Sequence, residues 1–230
     1  MNLRLDYCTF HAATYACKRW HYSKSIPAGK IIKIGVWEND VFIGCVLFSR
    51  GARFCGSEIG LTQLQVCELT RVALNKHITP VSRILSIAIS LLIKKCPGLK
   101  AIISYADENR GHLGKIYQAT NWVYFGKYAN EQGIVLNNKL IHRRTINAKY
   151  GTSDLEFLKK NVDKGAMVIK GLYKHKYVYP LTETMRKYIM KFKKDYPKIA
   201  SEVNEITLGD HSSNGGASPT RTLHLEENVS

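Results

Sequence analysis

The spacing of apolar residues changes several times along this chain, and each change marks an element. LRLDYC (3–8) alternates and predicts a strand, and Thr9 supplies a cap for a helix over about 10–20. The loop HYSKSIPAGK, closed by Pro27 and Gly29, leads to two apolar runs, IIKIGVW and VFIGCVLF. Between them END is a short hairpin signal, and LQVCELTRVAL follows as a longer alternating strand, which makes a meander. From Ser82 the residues Ile84, Leu85, Ile87, Ala88, Leu91 and Leu92 fall on one helical face until Cys96, Pro97 and Gly98 end it. LKAIIS then predicts a short buried strand, and Leu113, Ile116, Tyr117 and Thr120 restart the helical period. VYFGKY and KLIHRRTINA predict two strands, 153–164 a helix, KHKYVYPL a strand and 182–195 a basic helix. Strands and helices interleave, so the fold class is mixed α/β (α+β).

Composition bounds the organisation. The 230 residues, 45% of them hydrophobic, suffice for one substantial core. Residues 1–150 read as the main domain, 151–200 as a basic C-terminal extension that completes it, and 201–230, with SSNGGASPT, as a disordered tail. Six cysteines without a CxxC pair, several in apolar runs, suggest reduced core thiols in a protein of the cytoplasm. ILSIAISLLI is too short to span a bilayer, and MNLRLDYCTF has no signal-peptide core, so no membrane role is expected.

Charge changes the picture more than any other bulk property. Lys and Arg number 34 against 18 Asp and Glu, a net +16. The excess is uneven: residues 1–138 hold 17 basic and 8 acidic groups (+9), 139–198 hold 16 and 5 (+11), and 199–230 hold 1 and 5 (−4). Tyrosines interleave with the charge in GLYKHKYVYP and MRKYIMKFKKDYPK. That combination suits phosphate contact with base stacking, and points to nucleic acid. Arg143, Arg144, Lys174, Lys176 and Lys187 are the candidates for gripping it, as DNA-binding residues if that nucleic acid is DNA.

The chemistry is concentrated in SYADENRGHLGKIYQATNW (104–122), where Asp107 to His112 should sit at the carboxyl end of a strand and the amino end of a helix. Asp107 suits a helix cap or a working carboxylate, while Glu108 should point to solvent. His112 can meet a phosphate or base, or be simply exposed. Tyr117 falls at the spacing of a core residue. Glu68 and Arg71 lie on one strand at odd separation and should point to opposite faces. His21, Tyr22 and Ser23 stand where the first helix runs into the Pro/Gly loop.

The order strand, helix, three meandering strands, helix, strand, helix, strand resembles the GCN5-related N-acetyltransferase (GNAT) fold. ELTRVALN resembles that superfamily's central fourth strand, and DENRGHLGKIYQATNWVYFG its later helix. The fold implied is a mixed, mostly antiparallel central sheet flanked by helices. WHYSKSIPAGK, ELTRVAL, a serine opening the next helix and SYADENRGHLGKIYQATNW together resemble the Mom proteins of bacteriophages, over about residues 1–180.

That closer resemblance implies an enzyme that carries adenine in double-stranded DNA to its N6-carbamoylmethyl (acetamido) form, blocking host restriction enzymes in the host cytoplasm. The adenine would be flipped from the duplex, since N6 is otherwise paired. Asp107 would be the base or orienter and Tyr117 the acid. Tyr22 would stack on the base, with His21 as acid/base, and Ser104 would bind a donor carbonyl. Ser23, Glu68, Arg71 and His112 form a second tier, and Ser82, Arg83 and Asn109 face the donor. The donor is a two-carbon unit, acetyl-CoA-like or another acyl or aminoacyl carrier. A metal on His21 and Tyr22 stays open.

One departure bears on the donor. The acetyltransferases cradle a pyrophosphate with an Arg/Gln-x-x-Gly-x-Gly/Ala loop at a helix start, where backbone N–H groups and the helix dipole face the anion. Here that place reads NKHITPVSRILS, without glycine. Two other readings stand beside the DNA-modifying one: an acetyl-CoA-dependent N-acetyltransferase for a small amine or protein, and a non-catalytic DNA-binding protein.

Overall fold

Alternating and β-branched stretches form β1 (Leu3–Tyr7), β2 (Ile31–Glu38), β3 (Val41–Ser49) and β4 (Val66–Leu74), each antiparallel to the one before. They belong to a computed structural model that describes residues 2–51 and 55–197. The tail expected to be disordered lies outside the described residues. The turn from β2 to β3 runs through Asn39 (φ 48°) and Asp40 (φ 64°), left-handed positions that these residue types tolerate, which is why END makes a tight hairpin.

The sheet is covered on both faces. α1 (Phe10–Trp20) starts where Thr9 Oγ1 accepts the Ala12 N–H at 3.1 Å, and it buries Ala13, Ala16 and Cys17 against Cys45, Leu47 and Ala73. α2 (Val81–Lys95) lies on the opposite face. Its Ile84, Leu85, Ala88, Ile89 and Leu92 pack on Ile34, Val36, Val46, Phe48, Cys67 and Leu69. Successive residues of β3 thus serve two different cores, which explains its continuous apolar run.

β5 (Ala101–Asp107) is parallel to β4, and β8 (Met167–Pro180) runs antiparallel between β5 and β6 (Val123–Leu136). With β7 (Lys139–Ile141) at the edge, the order is β1-β2-β3-β4-β5-β8-β6-β7, the mostly antiparallel GNAT-like sheet that the order of elements predicts. Because β8 is internal, residues 167–180 are integral to the sheet, within the compact unit that runs to Tyr196.

Three expectations change. The helix after the motif is a single turn, α3 (Lys115–Gln118), preceded by a 3₁₀ turn at Glu108–Arg110. KLIHRRTINA is only β7 before becoming α4 (Arg143–Tyr150), because Ile146 turns inward against Leu158. The basic helix shortens to α6 (Glu183–Ile189) and a 3₁₀ turn. β6 and β8 also run on past the end of β5 as an arm. With β7, α4 and α5 (Leu155–Asn161) it encloses a small core of Ile134, Leu136, Ile146, Leu158 and Ala166.

Candidate active site

The site is built on a parting of strands. β4 and β5 pair only through Val66–Ala101, Cys67–Ile102 and Glu68–Ile103. On its other side β4 places Leu69 opposite Phe48 but Arg71 opposite Leu47, so Thr70 is an extra residue that bends the strand away from β5. The bulge also overturns the expectation that Glu68 and Arg71 face opposite ways. Their partners, Ser49 and Leu47, are two residues apart, so both side chains leave on the same face. Sequence alternation alone has no signal for an unpaired residue.

Ser104 and Tyr117 meet at this gap. Ser104 Oγ lies 2.8 Å from the Leu69 carbonyl and 2.8 Å from the Tyr117 hydroxyl. The carbonyl can only accept, so Ser104 donates to it and Tyr117 donates to Ser104. Burial pushes the Tyr117 pKa up to about 12, so the phenol keeps its proton at neutral pH. Its ring is wedged between Trp122 and Tyr177, each with centroids 5.0 Å away. The Gly-His-Leu-Gly element explains itself here. Gly114 (φ 80°) lies against the Tyr177 ring so closely that any Cβ would collide with it, and the Tyr177 hydroxyl donates to the Leu113 carbonyl.

Asp107 ends β5 and caps the following turn. Its Oδ1 accepts the Asn109 backbone N–H at 3.0 Å and the Asn109 amide at 2.9 Å, which fixes the carboxylate and occupies Asn109, expected to face a donor. Glu108 does not point to solvent. It accepts from Lys127 Nζ at 3.1 Å and from the Tyr173 N–H at 3.1 Å, with buried His175 Nε2 3.8 Å away, so the turn is fastened to β6 and β8.

Across from this turn stands the end of α1. His21, only 8% exposed, is fixed in its tautomer: Nδ1 accepts the Ser23 N–H at 3.1 Å, leaving the proton on Nε2. Burial, then Arg71, His112 and Lys24, hold its pKa down to about 4, so the ring is neutral. Tyr22 lies 4.3 Å from His21 and meets His112 edge-on at 5.4 Å, with the Arg110 guanidinium 5.6 Å from its ring centre. Burial and the Asp107 charge raise its pKa. Arg71 is held by donating to the Ser25 carbonyl at 3.2 Å and the Thr70 carbonyl at 2.7 Å. The structure thus brings His21, Tyr22, Ser23, Arg71, Asp107 and His112 together, with Tyr117 and Ser104 in the gap. Arg110, which sequence reasoning left out, joins them.

Other candidates fall elsewhere. Ser82 and Arg83 open α2, with Arg83 exposed. Lys176, expected to grip DNA, is 5% exposed and paired with Glu58 at 2.7 Å, so its charge is already used. Arg143 donates to the Ser153 carbonyl at 2.8 Å, Lys174 is half-buried opposite Asp107, and Lys187 is exposed on α6. The Arg144 side chain lies outside the described residues. For a metal, one ring nitrogen of His21 is engaged and the raised Tyr22 pKa disfavours the phenolate form. No three His, Cys, Asp or Glu side chains gather among the described residues, so this set falls short of a cation site.

A bulged β4 parting from a parallel β5, with a capped carboxylate at the end of β5 and a buried tyrosine in the gap, defines a GNAT-like protein. The Mom protein family model matches residues 2–198, and the chain belongs to that family. No curated protein matches it in sequence. Among solved structures it is similar to a candidate acetyltransferase of Acinetobacter baylyi (12% identity, 78% of this chain and 92% of that chain, TM-score 0.45). It is also similar to an aminoglycoside acetyltransferase in complex with coenzyme A and kanamycin (12%, 83% and 98%, 0.42). A third is a GNAT family acetyltransferase of Elizabethkingia anophelis with acetyl-CoA bound (12%, 78% and 99%, 0.36). At such scores the class rests on the chain's own topology.

Proposed function

We propose that this chain is a transferase that takes an adenine flipped from duplex DNA and attaches a carbamoylmethyl unit at N6. The observation that carries this reading is the meeting of Asp107, Tyr22, His21 and Arg71 at the β4–β5 gap in a member of the Mom family. The exocyclic amine is a poor nucleophile because its lone pair is delocalised into the ring, so it needs a base and an activated carbon. Asp107, fixed through Oδ1, takes an N6 proton with its other oxygen. The N6–carbon bond forms as the bond from that carbon to its leaving group breaks, and Tyr117, protonated at neutral pH, turns its proton from Ser104 Oγ to the leaving group. Tyr22, 45% exposed, offers the flipped base a ring to stack on, and Arg110 and His112 edge the same space. The excess of basic over acidic residues in 139–198, 16 against 5, favours a DNA partner.

Nucleoside mass analysis of DNA from cells expressing the unmutated chain and Asp107→Asn tests this. Acetamide-sized mass on adenine is expected only with the unmutated chain. Unmodified adenine in both would overturn the DNA-modification reading, whereas modification in both would remove Asp107 from the chemistry alone.

A further inference from the structure

Where a short loop joins a bulged strand to a helix, as residues 75–80 join β4 to α2, the amides at the helix start can seat a phosphate. In this chain the seat is taken from inside. Glu38, the last residue of β2 and 7% exposed, reaches across to the loop before α2. Its Oε1 accepts the Thr79 N–H at 2.6 Å and its Oε2 the Ile78 N–H at 3.0 Å. The next residue, Pro80, has no N–H at all, and the Arg83 N–H turns back to the Pro80 carbonyl at 3.0 Å. Two consecutive amides are therefore occupied and a third is missing. The Thr79 side chain, then the Ile78 and Thr79 amides, hold the Glu38 carboxyl below the usual carboxylate range, so it is charged at neutral pH.

We infer that Glu38 is a built-in replacement for a bound phosphate at the start of α2, and that the donor is held without a diphosphate in this loop. A diphosphate brought to this loop would find the Ile78 and Thr79 amides used and a carboxylate beside them. Like charges at that range repel, and a carboxylate this well hydrogen-bonded does not protonate to make room. The donor class is thus one whose carrier makes no diphosphate contact at Ile78 and Thr79. The word donor rests on the transferase reading above, but the occupied loop does not.

The test is amide NMR on the full chain, following Ile78 and Thr79 as coenzyme A, and separately inorganic pyrophosphate, are added to millimolar concentration. Both amides are expected to stay in place in the unmutated chain. In Glu38→Ala they are expected to move saturably with either probe, with affinity rising about tenfold or more once the internal charge is gone. Glu38→Gln, which keeps one acceptor, serves if Glu38→Ala does not fold. Saturable movement of Ile78 and Thr79 in the unmutated chain would overturn the inference, as would a folded variant that gains no anion binding. Nucleoside analysis reports on the transferase reading alone, so the two can fail separately.

Discussion

Ser104→Ala is expected to cost more stability than Tyr117→Phe, although each removes one hydroxyl oxygen. The Ser104 proton serves the Leu69 carbonyl, and Tyr117 gives its own proton to Ser104, both at 2.8 Å. Ser104 is 1% exposed and Tyr117 8%, so water cannot substitute freely. Removing the serine hydroxyl strands two buried groups, a carbonyl and a phenol. At about 1–3 kcal/mol for each stranded group, with some relaxation, the loss is about 2–4 kcal/mol. Tyr117→Phe leaves the Ser104–Leu69 bond intact and should cost about 1 kcal/mol. Urea unfolding with equal slopes measures both. In the S104A background, Tyr117→Phe should become neutral or stabilising, because it then removes a stranded phenol. A cost below about 0.5 kcal/mol for Ser104→Ala would refute the reasoning, since a buried stranded pair cannot be that cheap. So would an equal cost of Tyr117→Phe in both backgrounds.

Further outcomes follow from other contacts. Gly114→Ala should lower the melting temperature and destabilise by more than about 1 kcal/mol, because it combines a left-handed backbone with collision against Tyr177. Lys176→Gln should reduce stability by about 1–2 kcal/mol by removing the partner of Glu58, yet leave DNA affinity in a salt titration unchanged, whereas Lys187→Gln should do the reverse. His21, with its pKa held at about 4 in the fold against 6.5 in the unfolded chain, makes the unfolded state bind the extra proton between those values. Its contribution to stability therefore falls as pH drops through that window, by about 2 kcal/mol from pH 7.5 to about 5, and His21→Gln should remove this share of the slope in urea unfolding, leaving that of His175, whose pKa burial also lowers.

Much of the fold was legible because it rests on local signals. Thr9 capped α1 as expected, Asn39 and Asp40 made the hairpin, and the face of α2 was written in its apolar spacing. KLIHRRTINA misled because Ile146 needs Leu158, twelve residues on, to decide that it is helical. The relation of Glu68 to Arg71 was hidden because the bulge at Thr70 exists only in the pairing with β3. The motif marked Asp107, Tyr117 and His112, but the roles of Glu38, Glu108 and Lys176 depend on partners 41, 65 and 118 residues away (Thr79, Tyr173 and Glu58). Such pairings leave no pattern along the chain.

The late position of β8 governs when a working protein can exist. During synthesis, everything through β6 emerges before the strand that must lie between β5 and β6. Until residue 180 is available, two neighbouring strands present open edges, and the turn holding Asp107 lacks the Tyr173 N–H that fastens Glu108. A nascent or truncated chain therefore carries the whole motif yet cannot hold it in working shape. The motif reaches its folded geometry only once nearly the entire folded unit has left the ribosome.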